Sequence, residues 1–313
     1  MPYTRLVSGE PEASLREIED LESLHLRRPL ALVGFGGWID AGFAATGAVK
    51  YLVDHLEATR VAELDPEPFY AFTDTRPRVS HPTAGRREPV WPKAEWYIVR
   101  MPDASEHDLV LFTAPEPNLR WRGFTSLVLD VFQRLGTETL VSFGAVLAPV
   151  HHRANPPVRG WATTDTLRGQ LRKRRISSGR YEGPTGITTV LLAAARDRGL
   201  PAFSLSTSSP SYLTDMPNPR ASAALLRMAG EVASVHLPLS DLDAEGLVVA
   251  ERIDQFLSER PELKEAVDRL PYTAEPVEAD PNEPPAELPS SAAVLQDLEE
   301  FLKSLRRENG DSN

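Results

Sequence analysis

Short apolar runs alternate along the chain with longer stretches in which apolar positions recur every three or four residues. Residues 29–35 (Pro-Leu-Ala-Leu-Val-Gly-Phe) form the first such run and predict a buried strand. Gly36 and Gly37 follow, and a helix is expected over 40–57, lined by Ala41, Gly42, Ala44, Ala45, Gly47 and Ala48. Small side chains like these let a helix lie close against a sheet or another helix. Asp40 stands where an N-cap is needed, because its carboxylate can accept from the unpaired amides of the first turn. Further strands are expected at 69–72, 96–101, 109–112, 140–143 and 202–205, and helices at 120–135 and 186–198. Strands alternating with helices of this length predict an α/β layered fold with a mostly parallel sheet. The segment 73–93, with Pro77, Pro82, Pro89 and Pro92, reads as an extended insertion or an edge hairpin.

Beyond Pro238 the periodicity changes. Leu247, Val249, Ile253, Phe256 and Leu257 mark an amphipathic helix that resumes after a break at Pro261 and runs to Leu270. Residues 271–290 hold six prolines and five acidic residues without a Lys or Arg, the composition of a linker. A last helix is expected over 291–306, with Val294, Leu295, Leu298, Phe301, Leu302 and Leu305 in one apolar stripe. The chain is thus divided into an α/β core domain at 1–237, a helical extension at 238–270, an acidic Pro-rich linker at 271–290, and a C-terminal amphipathic helix with a frayed tail at 291–313. A helix of that length is marginal alone, so it calls for a docking surface on its own body, a sister subunit or a partner. No internal repeat is visible.

Composition narrows the function classes. The 313 residues are 41% hydrophobic and 25% charged, which excludes wholesale disorder and allows a large core. There is no cysteine, which excludes disulfides, thiolate catalysis, Cys-ligated zinc and iron–sulfur clusters, and fits a reducing compartment. With 34 basic against 45 acidic residues the net charge is −11, so neither nucleic acid nor an anionic membrane is expected as a partner. The first ten residues carry no apolar stretch of signal-peptide length, and no run approaches the ~18 apolar residues of a membrane span. A cytoplasmic, soluble protein is expected.

Several segments invite a chemical reading, each beside a plainer one. The turn Gly34-Phe35-Gly36-Gly37-Trp38 joins a strand to a helix, where a helix N-terminus could hold a phosphate or carboxylate. A dinucleotide fingerprint would need a third glycine where Ile39 stands, and no Walker lysine is present, so a tight turn is the simpler reading. Tyr181-Glu182-Gly183-Pro184-Thr185-Gly186 is a second loop-to-helix junction, with Pro184 suited to the first helical turn. Glu182 and Thr185 could share a polar pocket with Asp40, or simply cap a helix. The stretch 168–180 carries Arg168, Arg172, Lys173, Arg174, Arg175 and Arg180 and no acid. It reads as an anion patch centred on Arg172–Arg175, or as a solvated helix face. His151 and His152 are adjacent, and on an extended segment they would point opposite ways, so no metal site is expected. No Gly-x-Ser-x-Gly elbow or other catalytic constellation occurs. Trp38, Trp121 and Trp161 lie beside loops and could stack on a base or sugar, or pack.

Taken in order, these segments resemble the bacterial branch of the proteasome assembly chaperone family, second type. The residues that carry the resemblance are Gly34 to Gly42 with Ala44 to Val49, then Pro115-Glu116-Pro117-Asn118-Leu119-Arg120-Trp121, Gly144-Ala145, Tyr181 to Ile187, and Pro210-Ser211-Tyr212 with Pro217-Asn218-Pro219. The resemblance covers about 30–235. It implies a three-layer α/β/α sandwich similar to the phosphorylase/hydrolase type of purine nucleoside phosphorylases, self-association with a trimer favoured, and a protein partner. From the residues themselves, no cofactor, metal or catalytic residue is expected. Relatives in eukaryotes and archaea typically end in a hydrophobic residue, a tyrosine and one more residue, a pattern that Asp311-Ser312-Asn313 does not match.

Two functional readings follow. The first is a non-catalytic, self-associating, chaperone-like protein. The second is a binder or enzyme of nucleosides or phosphate esters, with a pocket at the C-terminal strand ends. The residues assigned to the pocket or interface are Gly36, Gly37, Trp38, Asp40, Glu116, Asn118, Arg120, Trp121, Tyr181, Glu182 and Thr185.

Overall fold

Two alternating sets of side chains along each central strand decide the architecture. A computed structural model describes residues 15–80, 86–179, 181–214 and 216–272. The expected helix at 291–306, its tail and nearly all of the 271–290 linker lie outside the described residues. In chain order the elements are β1 (Leu15–Glu17), β2 (Leu30–Gly36), α1 (Ala44–His55), β3 (Thr59–Leu64), β4 (Arg78–Ser80), β5 (Glu88–Val90), β6 (Ala94–Val99) and β7 (Leu109–Pro115). There follow α2 (Trp121–Arg134), β8 (Thr139–Ala148), β9 (Arg159–Ala162), α3 (Asp165–Lys173), α4 (Ile187–Asp197), β10 (Ala202–Pro210), α5 (Pro219–Ala233), α6 (Ser240–Ser258) and α7 (Pro261–Asp268).

Eight strands form one sheet in the order β1-β3-β6-β7-β2-β8-β10-β9. The block β7-β2-β8-β10 is parallel, whereas β1, β3 and β6 on one flank and β9 on the other join antiparallel. The sheet is therefore mixed, not mostly parallel. Only residues 100–108 separate β6 from β7, too few for the helical crossover that a parallel pair needs. On β2, Leu30 and Leu32 enter a core layer shared with α1 and α5, while Ala31, Val33 and Phe35 enter a second layer with α2 and α4. Helices thus cover both faces of the sheet. The small-residue face of α1 serves close approach: a Cβ at Gly34 would stand 2.4 Å from the Ala45 carbonyl oxygen.

Three expectations about the elements also need correction. Residues 69–72 form no strand: the amides of Phe69 and Tyr70 both bond to the Pro66 carbonyl, closing a turn. The apolar run reports burial instead, since Phe69 wedges edge-on against Phe124 with ring centroids 5.2 Å apart. The helix expected from Asp40 begins at Ala44, after a 3-10 turn at Ala41–Phe43 in which Gly42 and Phe43 both take positive φ. Leu247 is not on the buried stripe of α6: Leu242, Gly246, Ala250, Ile253, Phe256 and Leu257 are buried, and Leu247 and Val248 face outward. Within the 73–93 segment β4 and β5 pair antiparallel, in a sheet of their own, as expected of a hairpin. No described helix is long and apolar enough to cross a membrane.

Candidate functional site

Parallel strands deliver their loops to one end of the sheet. At the C-terminal ends of β2, β7, β8 and β10 lie the loops 37–43 and 116–120, the loop before α4, and the turn before α5. Two antiparallel steps return β3 to the direction of β7, so the 65–93 insertion rises from this same end. Main-chain bonds tie the loops together: Glu116 N donates to the Gly36 carbonyl at 2.6 Å, and Ala145 N to the Ile39 carbonyl at 2.7 Å.

Asp40, buried at this end, is the cap its position predicts, though displaced. Its Oδ1 accepts from the amides of Ala45 (2.8 Å) and Thr46 (3.1 Å), and its Oδ2 accepts from Thr46 Oγ1 at 2.5 Å. Burial pushes its carboxyl up to about 6, against the pull of the hydrogen bonds from Thr46 and Ala45. Glu116 Oε1 accepts from Ile187 N at 2.7 Å, placing a carboxylate at the start of α4, where the helix dipole favours it. A Cβ at Gly37 would stand 3.1 Å from Glu116 Cβ, and one at Gly186 would stand 3.1 Å from Glu116 Oε1. The glycines of the two turns therefore admit Glu116 between them, with Gly37 at a φ of 128°. Asn118 Oδ1 accepts from Ala71 N and Thr75 Oγ1, both at 3.0 Å, and so closes the turn after β3.

The other assigned residues sit around these. Gly36 ends β2, and Arg120 holds a left-handed conformation (φ 54°) at the start of α2. Trp121 is half-buried and donates its Nε1–H to the Pro117 carbonyl at 2.5 Å. Tyr181 donates to the Pro184 carbonyl at 2.9 Å, Thr185 to Thr189 Oγ1 at 2.6 Å, and Glu182 is exposed. The structure thus brings Gly36, Gly37, Asp40 and Glu116 into one network with the turn before α4. Asn118 and Trp121 belong to the neighbouring turn, and Glu182 and Thr185 bond to neither carboxylate.

What gathers at this end is exposed apolar surface. Thirteen large apolar side chains are exposed among the described residues, and eight stand at this rim or on the hairpin that rises from it: Trp38, Phe43, Val79, Val90, Trp91, Leu119, Val146 and Tyr181. Concentration, more than exposure of any one of them, is the informative feature.

The anion patch is split. Arg174 donates to the carbonyls of Gln170 and Glu231, spanning α3 and the end of α5. Arg172, Lys173 and Arg175 stay exposed, the first two in the last turn of α3, where positive charge complements the dipole.

Sequence reasoning missed a buried polar cluster. The chain turns at 151–154, so the alternation argument fails and the rings of His151 and His152 stack, with centroids 4.2 Å apart. His152 Nδ1 lies 2.9 Å from Tyr212 Oη and its Nε2 lies 2.8 Å from Asp254 Oδ1. Burial depresses its pKa to about 4, against the hydrogen bond it makes to Asp254. With His152 neutral, the tyrosine donates to Nδ1 and Nε2–H donates to the carboxylate. His151 stacks on Tyr272, 4.2 Å between centroids. The cluster fastens α6 to the core beside an apolar contact of Tyr212 and Leu213 with Ile253, Phe256 and Leu257. Adjacent histidines were the only signal; their partners lie 60 to 121 positions away. No group of metal-ligating side chains occurs among the described residues.

A mixed sheet covered by helices on both faces, with glycine-rich turns and capped helix starts at the strand ends, defines the class of protein. The profile of the PAC2 family matches residues 34–257, and the chain belongs to that family. It is similar to a PAC2 family protein from Streptomyces avermitilis, with 35% identity, a TM-score of 0.67, and coverage of 72% of this chain and 95% of that one. It is also similar to a proteasome-assembly chaperone homologue from Mycobacterium tuberculosis, with 35% identity, a TM-score of 0.67, and coverage of 75% and 98%. The fold is shared with PbaB, an archaeal proteasome activator from Pyrococcus furiosus, at 20% identity and a TM-score of 0.62 over 79% of this chain and 99% of that one. Among curated proteins, none matches.

Proposed function

We propose that this protein is a non-catalytic, self-associating member of its family that acts chaperone-like, through protein contacts made at the C-terminal end of its sheet. The observation that carries this reading is the rim of exposed aromatic and aliphatic side chains gathered there. Its kinship with a proteasome-assembly chaperone homologue supports the same role. Gly36, Gly37, Asp40, Glu116, Asn118 and Trp121 set the loop shapes, while Trp38, Arg120, Tyr181, Glu182 and Thr185 meet the partner. The layered sheet is read as the phosphorylase/hydrolase type, a trimer as the assembly, and the cytoplasm as its place.

The alternative, a nucleoside or phosphate-ester pocket, is disfavoured by what the polar groups already do. One Glu116 oxygen, the Asn118 carbonyl oxygen and both Asp40 oxygens already serve amides and hydroxyls of the protein itself, at the start of α4, in the turn after β3 and in the first turn of α1. Trp38→Ala tests the reading directly. It removes an exposed ring, so the melting temperature should hold while co-purification of partner proteins from the native host falls severalfold. Turnover of a nucleoside, or a melting-temperature rise with nucleosides or inorganic phosphate that Glu182→Gln removes, would transfer the assignment to the pocket.

A further inference from the structure

The 73–93 hairpin and helix α6 carry surfaces of opposite charge that share exposed apolar residues. Residues 73–93 hold five basic and two acidic residues within a chain of net charge −11. Arg86 pairs with Glu88 at 2.7 Å, whereas Arg76, Arg78 and Arg87 are exposed without an ion pair among the described residues. Val79 and Trp91 are exposed beside them. Phe72 anchors the hairpin base against Trp91, with centroids 4.8 Å apart. Among the described residues no backbone hydrogen bond joins β4 or β5 to the main sheet. A two-stranded ribbon with both outer edges open is marginal alone and is a template for contact.

On α6 the outward face reverses the charge. Asp243 is taken by Arg227 and Asp254 by His152 and Arg153. Asp241, Glu245 and Glu251 remain exposed without an ion pair among the described residues, around Leu247 and Val248, with Arg252 the one base on that face. The two surfaces stand on opposite flanks of the sheet. The hairpin rises beyond β3 and β6, and α6 lies over α5, which covers β8 and β10. A contact between them therefore requires two copies.

We infer that the basic apolar hairpin of one copy docks on the acidic apolar face of α6 of a second copy. This inference rests on the self-association reading and names its interface. The contact is heterologous, head to tail, so successive copies close into a ring when the rotation allows it. Like charges opposed across the same contact would cost enough to break it.

The test uses the full chain, size-exclusion chromatography with light scattering at micromolar concentration, and circular dichroism to confirm folding. Three variants are compared with the native protein: Arg78→Glu with Arg87→Glu, Glu245→Arg with Glu251→Arg, and all four together. The native chain should run as an oligomer, each double reversal as a monomer that keeps the native circular dichroism spectrum, and the fourfold variant as the oligomer again. An oligomer indifferent to either reversal, or not restored by the fourfold variant, overturns the inference while leaving self-association standing. A monomeric native chain sinks both.

Discussion

Replacing Asp40 by Asn changes how stability responds to acid. Asp40 is buried, and its carboxyl titrates near 6 in the folded chain against 3.8 when unfolded. Its contribution is therefore complete below 3.8 and lost as pH rises through 6. His152 has the opposite sense: it titrates near 4 when folded and 6.5 when unfolded, so its contribution is present above 6.5 and lost as pH falls through 4. From pH 7 to pH 5, Asp40 protonation adds about 1.3 kcal/mol and the neutral His152 removes about 1.9 kcal/mol, leaving a loss of about 0.6 kcal/mol from the pair. Asparagine does not titrate, so Asp40→Asn exposes the full histidine loss of about 1.9 kcal/mol over the same interval. His151, also depressed by burial, steepens the acid loss equally in both proteins and drops out of the comparison. Urea unfolding at pH 7 and pH 5 measures the two differences. An acid loss in Asp40→Asn no larger than in the native chain refutes the argument that burial holds this carboxyl high.

Three further outcomes test the packing and the caps. Gly34→Ala drives a methyl into the backbone of α1 and should cost about 3 kcal/mol or more by urea unfolding. His152→Ala removes the acceptor of the Tyr212 hydroxyl proton and the bond to Asp254 and should cost about 2 kcal/mol, with α6 amides exchanging hydrogen faster than those of the central strands. Glu116→Ala should lower stability by about 1 kcal/mol through loss of the α4 cap, with Glu116→Gln, which keeps an acceptor for Ile187, losing less.

The sequence by itself determined the alternation of strands and helices, the two glycine turns, the Asp40 cap and the family. Each is written in neighbouring residues: an apolar run of strand length, a glycine where a loop must pass closely, a carboxylate just ahead of a helix. Even there, local pattern did not separate burial from extension, so 69–72 passed for a strand when Phe69 and Tyr70 were filling a core from within a turn. Tertiary structure alone decided which strands run antiparallel, because that depends on where each connection returns. It also decided that Glu116 lies between Gly37 and Gly186, that His152 bridges Tyr212 and Asp254, and that scattered residues such as Trp38, Trp91, Leu119 and Tyr181 gather at one end. Side chains separated by tens of positions meet only after the sheet has fixed the order of its strands, and no local periodicity encodes that order.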